Sequence, residues 1–76
     1  MKTTAIDSSE LKIRFTYHPP REGQPALYTQ IRDEAAALAQ AIADLCPASR
    51  EQSLAITKIE EAVMWANAAI FRRSGD

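Results

Sequence analysis

The chain has 76 residues, a net charge of −1 and one cysteine, Cys46. A single cysteine excludes an internal disulfide and a multi-cysteine metal cluster, and the balanced charge excludes a broadly basic surface for nucleic acid. A chain of this size buries only about 60% of its unfolded surface, and oligomerisation is a usual source of additional stability. No apolar run is long enough for a bilayer, and residues 1–10 lack the apolar core of a signal peptide. We therefore expect one domain over residues 1–76, in a soluble, cytoplasmic protein.

The N-terminal third is polar at first and then alternates between apolar and polar residues. We expect residues 1–10 to be loosely ordered, although Ser8 or Ser9 could cap a short helical turn. Residues 11–17 (LKIRFTY) have the period of two that is typical of a strand, but the chain offers no partner strand. Residues 11–24 are therefore predicted to form an extended segment or a short helix, followed by a proline-rich turn.

A first long helix is predicted over residues 25–46. Pro25 suits the first turn of a helix, where its missing N–H costs nothing, and Pro47 ends the helix. The apolar residues recur at helical spacing and form one face, which comprises Ile31, Ala35, Leu38, Ile42 and Leu45. We expect this face to form the core with the second long helix.

A second long helix is predicted over residues 49–73. Ser49 can accept a hydrogen bond from the backbone N–H of Gln52, and the Gln52 side chain can reach back, which forms a capping box. One apolar face follows at steps of three and four residues and comprises Ile56, Ile59, Val63, Ala66 and Ile70. Another face carries a small residue at every seventh position, namely Ala55, Ala62 and Ala69. The short connection between the two helices makes them antiparallel, as a helical hairpin.

The second helix is apolar on more sides than one neighbouring helix can cover. Within residues 62–71 only Asn67 is polar, and Trp65 is expected in the core or in an interface. A helix that is apolar nearly all round must be buried on several sides, and a second copy of the chain is the simplest cover. We therefore predict an all-α fold, a small helical hairpin with a short N-terminal segment, that assembles into a homo-oligomer. An unpaired buried Asn67 amide would cost about 1–3 kcal/mol, so we expect it to have a partner across the interface.

The sequence carries no recognisable enzyme signature. It has one histidine, His18, and it has neither a nucleophile–base spacing nor a glycine-rich phosphate loop. Glu60 and Glu61 are adjacent, so on a helix they point about 100° apart and cannot share a site as an acid–base pair. We expect them to be solvated or to form intersubunit salt bridges. We predict no catalytic residue, no metal site and no cofactor.

Four residues are candidates for ligand binding, although each also has an ordinary structural role. Tyr17 ends the alternating segment beside a rigid His-Pro-Pro turn, where its ring could stack on a base or simply pack. Arg72 and Arg73 close the second long helix, where they could complement the helix dipole or bind phosphate. Arg32 lies on the flank of the first long helix, free to reach a ligand or a neighbouring subunit.

A resemblance to a known family rests on residues 49–73 (SREQSLAITKIEEAVMWANAAIFRR) and on the upstream segments FTYHPP and AIADLCP. These segments resemble the small phage anti-CBASS type II proteins, which are cyclic-oligonucleotide sponges. The resemblance covers about residues 11–73, and its most specific part is LAITKIEEAVMWANAAI. CBASS is a bacterial defence in which an infected cell makes cyclic di- or trinucleotides that activate a killing effector.

The resemblance implies a helical hexamer that sequesters these messengers without cleaving them, in the cytoplasm of the infected bacterial host. Dinucleotides would bind between paired protomers, and trinucleotides in separate pockets near the three-fold axes. Tyr17 is similar to the family's stacking aromatic, and Arg32 lies where the family has a basic residue on the first long helix. Arg73, with Arg72 as the alternative, resembles the family's arginine near the end of the last helix. His18 adjoins Tyr17 and completes the expected ligand-binding set.

Two rival functions remain open from the sequence. The chain could be a helical protein–protein interaction module in which the surface of residues 63–71 docks on a host protein. It could also be a phosphodiesterase, although it lacks the carboxylate or histidine clusters that hold catalytic metals.

Overall fold

The computed structural model describes residues 7–73, and this part of the chain contains three α-helices. They are α1 (Ser8–Phe15), α2 (Gln24–Leu45) and α3 (Arg50–Arg73), and this part contains no strand. The long helices α2 and α3 pack against each other as an antiparallel hairpin, which confirms the predicted all-α hairpin. None of these three helices combines the length and hydropathy that crossing a membrane requires.

The turn between α2 and α3 is closed by Ser49 and Gln52. The Ser49 Oγ accepts the backbone N–H of Gln52 at 3.1 Å, as expected for a capping pair. The Gln52 Nε2 also donates to two carbonyl oxygens of the preceding helix end, those of Ala43 at 3.3 Å and Cys46 at 3.0 Å. Carbonyls at a helix C-terminus have no partner within the helix. One side chain therefore joins the end of α2 to the start of α3, a role that the sequence pattern did not indicate.

The open end of the hairpin is joined by Gln24, the first residue of α2. Gln24 is 3% exposed and is the one buried residue within positions 7–73. Its Oε1 accepts the N–H of Arg21 at 2.9 Å, and its Nε2 donates to the carbonyl of Ile70 in α3 at 3.0 Å. Gly23 precedes it with a φ of 86°, a left-handed conformation that favours glycine. This turn lets the chain enter α2 directly beside the end of α3.

The helix α1 begins at a cap that the sequence analysis did not select. The Asp7 Oδ1 accepts the backbone N–H of Glu10 at 2.9 Å, so Asp7, rather than Ser8 or Ser9, is the N-cap. The helix continues to Phe15, and the next residue has an extended backbone. Positions 8–10, where the sequence left a short helical turn open, therefore form the first turn of this helix, whereas positions 1–6 lie outside the described residues.

The segment that follows α1 is held by His18. Its Nε2 donates to the carbonyl of Ile13 at 2.6 Å, and since a carbonyl oxygen only accepts, this nitrogen carries the proton. The imidazole also meets the ring of Phe71 edge-on, with the ring centroids 5.4 Å apart. Residues 11–24 therefore combine the two conformations that the sequence left open, a short helix followed by extended backbone and a turn.

No apolar side chain among the described residues is fully buried by this chain alone. Leu38 is 54% exposed, Met64 69% and Leu45 83%. Leu45 was expected on the core face, but it is the last residue of α2, where the chain turns away. The radius of gyration is 16.3 Å, whereas a compact chain of this length has about 11 Å. A single hairpin therefore leaves several large apolar side chains open to solvent.

We expect Gln52→Ala to lower the free energy of unfolding by about 1–2 kcal/mol, because two carbonyl oxygens at the end of α2 lose a donor. The matched control is Gln40→Ala, which removes an amide that donates to Asp44 within the same helix and should cost about 0.2–0.5 kcal/mol. Urea unfolding followed by circular dichroism, at one fixed protein concentration, measures both. Equal losses in the two variants would contradict a joining role for Gln52.

Candidate ligand-binding site

An open pocket lies where the last turns of α3 run beside the end of α1. It has a volume of about 470 Å³ and is lined by Arg14, Phe15, Trp65, Ala68, Ala69, Arg72 and Arg73. This pocket is named here the arginine pocket. It combines three guanidinium groups with two aromatic rings, and its two alanines have side chains too small to fill it. Cations and rings in one place can bind a ligand that carries both phosphates and bases.

The carboxylate of Glu10 bridges two arginines of the pocket. Its Oε2 accepts a hydrogen bond from Arg14 Nε at 2.7 Å and another from Arg73 Nη2 at 2.7 Å. Arg14 lies one turn further along α1, whereas Arg73 is the last residue of α3, so the bridge fastens the two helices together. The hydrogen bond from Arg73, followed by that from Arg14, holds the pKa of Glu10 below its usual range.

The two rings of the arginine pocket are open to solvent, Phe15 by 83% and Trp65 by 64%. The indole Nε1 of Trp65 donates to Glu61 Oε2 at 3.3 Å, and Lys58 Nζ pairs with Glu61 Oε1 at 3.3 Å. The hydrogen bond from Trp65, and after it that from Lys58, lowers the pKa of Glu61. Trp65 was expected in the core or an interface; within this chain it is an exposed wall of the arginine pocket and not a core residue, and its place in an interface stays a prediction.

The five residues that the sequence suggested for ligand binding lie in three separate places, namely the arginine pocket, the segment after α1 and, for Arg32, the surface of the hairpin. Arg72 and Arg73 line the arginine pocket. Tyr17 is 74% exposed in the segment after α1 and is not among the residues of that pocket. His18 is half-buried, and its ring is occupied by the contact with Phe71. The predicted aromatic Tyr17 therefore lies outside the pocket that holds the two predicted arginines Arg72 and Arg73.

Arg32 borders a different surface, which runs along the hairpin. A first hairpin groove of about 410 Å³ is lined by Arg32, Ala36, Ala39, Ile56, Glu60 and Met64. A second hairpin groove of about 470 Å³ is lined by Ile31, Glu34, Leu38, Ala62 and Ala66. Ala35, Ile59 and Val63 line both grooves, so one layer of side chains separates them. Residues of the two faces expected to form the core line both grooves, and of the alanine face Ala62 lines the second groove.

Two buried side-chain polar atoms, Asn67 Oδ1 and Arg21 Nη1, have no hydrogen-bond partner among residues 7–73. A buried polar group without a partner is costly, so Asn67 Oδ1 calls for a donor and Arg21 Nη1 for an acceptor from outside residues 7–73, such as water, ligand or a second copy. The expected partner of Asn67 across an interface stays a prediction.

Sequence reasoning missed Glu10, Arg14 and Phe15 as site residues. A signal was available, since Glu10 and Arg14 are four residues apart with the acid first, the favourable order for a helical ion pair. The strand-like alternation of residues 11–17 concealed this spacing. The contact of Glu10 with Arg73 has no signal in the sequence, because it joins positions 63 residues apart.

A known protein family matches the part of the chain that contains the hairpin. The family model described as Acb2/Tad1, hairpin domain, matches residues 7–71. This range includes α1, α2 and all but the last two residues of α3. No curated protein and no solved structure matches the chain.

We expect acid to release α1 from α3. The pKa of Glu10 is lower in the folded chain than in the unfolded chain, so its bridge stabilises the folded state above the ordinary glutamate pKa of about 4.3. This stabilisation is lost as the pH falls through the lowered value. Glu10→Gln should therefore flatten the pH dependence of the melting temperature between about pH 5 and about pH 3.

The comparison must be made between the variant and the wild type. The backbone N–H of Glu10 also lowers the pKa of Asp7, and Trp65 lowers that of Glu61, so both carboxylates add to the acid sensitivity of either protein. The difference between the two melting curves isolates Glu10. Curves of identical slope would contradict the bridge.

Proposed function

The chain belongs to the Acb2/Tad1 hairpin-domain family, the anti-CBASS sponge family, and on this premise we propose that it binds and sequesters cyclic di- and trinucleotide messengers without cleaving them. Its source would be a phage, and its place of action the cytoplasm of the infected bacterium. By removing the messenger, the protein would keep the CBASS effector inactive. The family match over residues 7–71 carries this proposal.

The arginine pocket supports the proposal on chemical grounds. A cyclic oligonucleotide presents several phosphates and several purine faces. Arg72 and Arg73 offer planar forks that suit phosphate oxygens, and the exposed rings of Phe15 and Trp65 offer faces for bases. Stacking of a base on an aromatic ring contributes about 1–3 kcal/mol. The phosphates of such a ligand need cations, which the arginine pocket offers in greater number than the mainly apolar hairpin grooves.

The uncovered apolar surface supports assembly into a homo-oligomer, and the family makes a hexamer the expected form. Symmetric ligands suit sites between symmetry-related subunits. Tyr17 is exposed, and Arg32 borders the first hairpin groove rather than the arginine pocket. In our proposal, neighbouring protomers bring Tyr17 and Arg32 together around a dinucleotide, with His18 holding the tyrosine segment, while Arg73 and Arg72 serve the trinucleotide.

Sequestration occupies one binding site for each messenger molecule, so the protein would act through its affinity and copy number and not through turnover. A phosphodiesterase ranks behind it, because no group of three or more potential metal ligands occurs among the described residues. Recovery of chemically intact ligand after denaturing the complex separates the two functions.

A protein–protein interaction module is the second candidate. The exposure of Met64 and Trp65 on one stretch of α3 favours it, because large apolar side chains open to solvent are typical of docking surfaces. A stable monomer in solution that binds no nucleotide would support this function over the sponge.

Titration calorimetry with a 3′,3′-cyclic dinucleotide and with cyclic triadenylate, on a sample of known mass, tests the proposal. We expect Tyr17→Ala to weaken dinucleotide binding by about 5- to 150-fold, the equivalent of about 1–3 kcal/mol of stacking. Tyr17→Phe is the matched control, because it keeps the ring and should bind nearly as the wild type does. Light scattering should give the same mass for all three proteins. Unchanged affinity in Tyr17→Ala would remove this residue from the site.

The apolar grooves generate a separate expectation about assembly. Leu38→Glu places a carboxylate in the second hairpin groove, where an interface would bury it, so we expect light scattering to report a smaller mass. Ala37→Glu is the control, since Ala37 is an exposed residue of α2 outside the lining of both grooves. An unchanged mass in Leu38→Glu would place the interface elsewhere.

A further inference from the structure

We propose that Arg14 and Arg73 form a phosphate-binding pair in the arginine pocket, and that the Glu10 carboxylate is a built-in competitor which an incoming phosphodiester displaces. The inference rests on the proposed function and deepens it. It adds Arg14 as a ligand-binding residue, and it makes Glu10 the residue that decides which anions can enter.

The geometry around Glu10 resembles an occupied anion site. Both guanidinium groups direct a hydrogen bond to one carboxylate oxygen, Oε2, and both distances are 2.7 Å. Arginine uses the same planar fork for a carboxylate and for a phosphate, so a phosphodiester oxygen can take the position of Oε2. The carboxylate therefore occupies the donors that a phosphate would require.

The charge balance makes this exchange feasible. Two guanidinium groups carry two positive charges, and Glu10 neutralises one of them. A phosphodiester also carries one negative charge, so its exchange for the carboxylate leaves the charge of the arginine pair unchanged. The released carboxylate returns to water, which costs little because Glu10 lies at the surface. The ligand then gains what Glu10 cannot supply, contact with Phe15 and Trp65 in the adjoining pocket.

The bridge is open enough to be displaced. The side chain of Glu10 is 26% exposed, that of Arg14 42% and that of Arg73 48%. Ion pairs with this exposure contribute little to stability, so their displacement costs little. The helix α1 has eight residues, fewer than an isolated helix needs for stability, so its position depends on such contacts. A carboxylate tethered in this way is a competitor at high local concentration.

Competition of this kind sets a threshold for ligands. An anion that offers a single phosphate must displace Glu10 with no further gain. A cyclic oligonucleotide offers further phosphates to Arg72 and bases to the two rings, so it overcomes the same barrier. Glu10 therefore excludes the abundant small phosphates of a cell in favour of the cyclic messenger.

The experiment compares Glu10→Gln, Glu10→Asp and Arg14→Gln with the wild-type chain, using cyclic triadenylate and calorimetry. Glu10→Gln removes the competing charge, and Glu10→Asp keeps the charge but withdraws it by one methylene. We expect both to bind about two- to fivefold tighter, the range that one exposed ion pair can supply. Arg14→Gln should bind at least about fivefold weaker, since it loses a charge-assisted hydrogen bond.

The matched control is Glu51→Gln, which removes one carboxylate from the first turn of α3, at the far end of that helix from Arg73. It should bind as the wild type does, and equal tightening in this variant would assign the effect to net charge and overturn the proposal. Circular dichroism and light scattering verify that each variant keeps its helix content and mass. Weaker binding by Glu10→Gln and Glu10→Asp would make Glu10 a positioning residue, and unchanged binding by Arg14→Gln would exclude the pair.

A second titration separates this inference from the proposed function. If wild-type protein binds neither cyclic nucleotide, the proposed function fails, and pyrophosphate serves as the probe of the arginine pair. The fluorescence of Trp65, the one tryptophan of the chain, reports its binding at constant ionic strength. Tighter pyrophosphate binding by Glu10→Gln than by the wild type supports the competitor, and equal or weaker binding overturns it.

Discussion

The register of the hairpin is set at both ends by glutamine side chains, Gln52 at the turn and Gln24 at the open end. Apolar packing alone defines this register weakly, because residues 7–73 contain no fully buried apolar side chain. A glutamine amide carries a donor and an acceptor, so it can bond a backbone group of another segment at a defined distance. The bond from Gln24 to the carbonyl of Ile70 consequently determines which part of α3 reaches the N-terminal segment.

The chemistry at the open end follows from that register. Arg73 lies three residues, nearly one helical turn, beyond Ile70, and there it meets the Glu10 carboxylate of α1. The same placement brings Arg14 and Phe15 beside the last turns of α3 and forms the arginine pocket. A short chain thus divides its surface, with cations and rings at one end and apolar grooves along the hairpin. This division suits a protein that assembles through the grooves and binds anionic ligands at the end, as proposed for this member of the sponge family.

The fold was largely predictable, because its signals are local. Helical periodicity and the Ser49 cap indicated two antiparallel helices, and the cap is present at 3.1 Å. The N-terminal segment was less predictable: the alternation of residues 11–17 left an extended segment or a short helix open, and the Asp7 cap and the Glu10–Arg14 pair make it a helix as far as Phe15. Short helices take much of their stability from caps and contacts rather than from periodicity, so pattern alone does not decide between these forms.

The sequence by itself determined the two long helices, the hairpin and the excess of apolar surface, since each follows from the order of neighbouring residues. It also identified Arg72 and Arg73, which line the arginine pocket. Only the tertiary structure decided which groups meet there, with Tyr17 and Arg32 elsewhere and Glu10 between two arginines. The physical reason is distance along the chain: Glu10 and Arg73 are 63 positions apart, and their contact exists because the packing of α1, α2 and α3 brings them together.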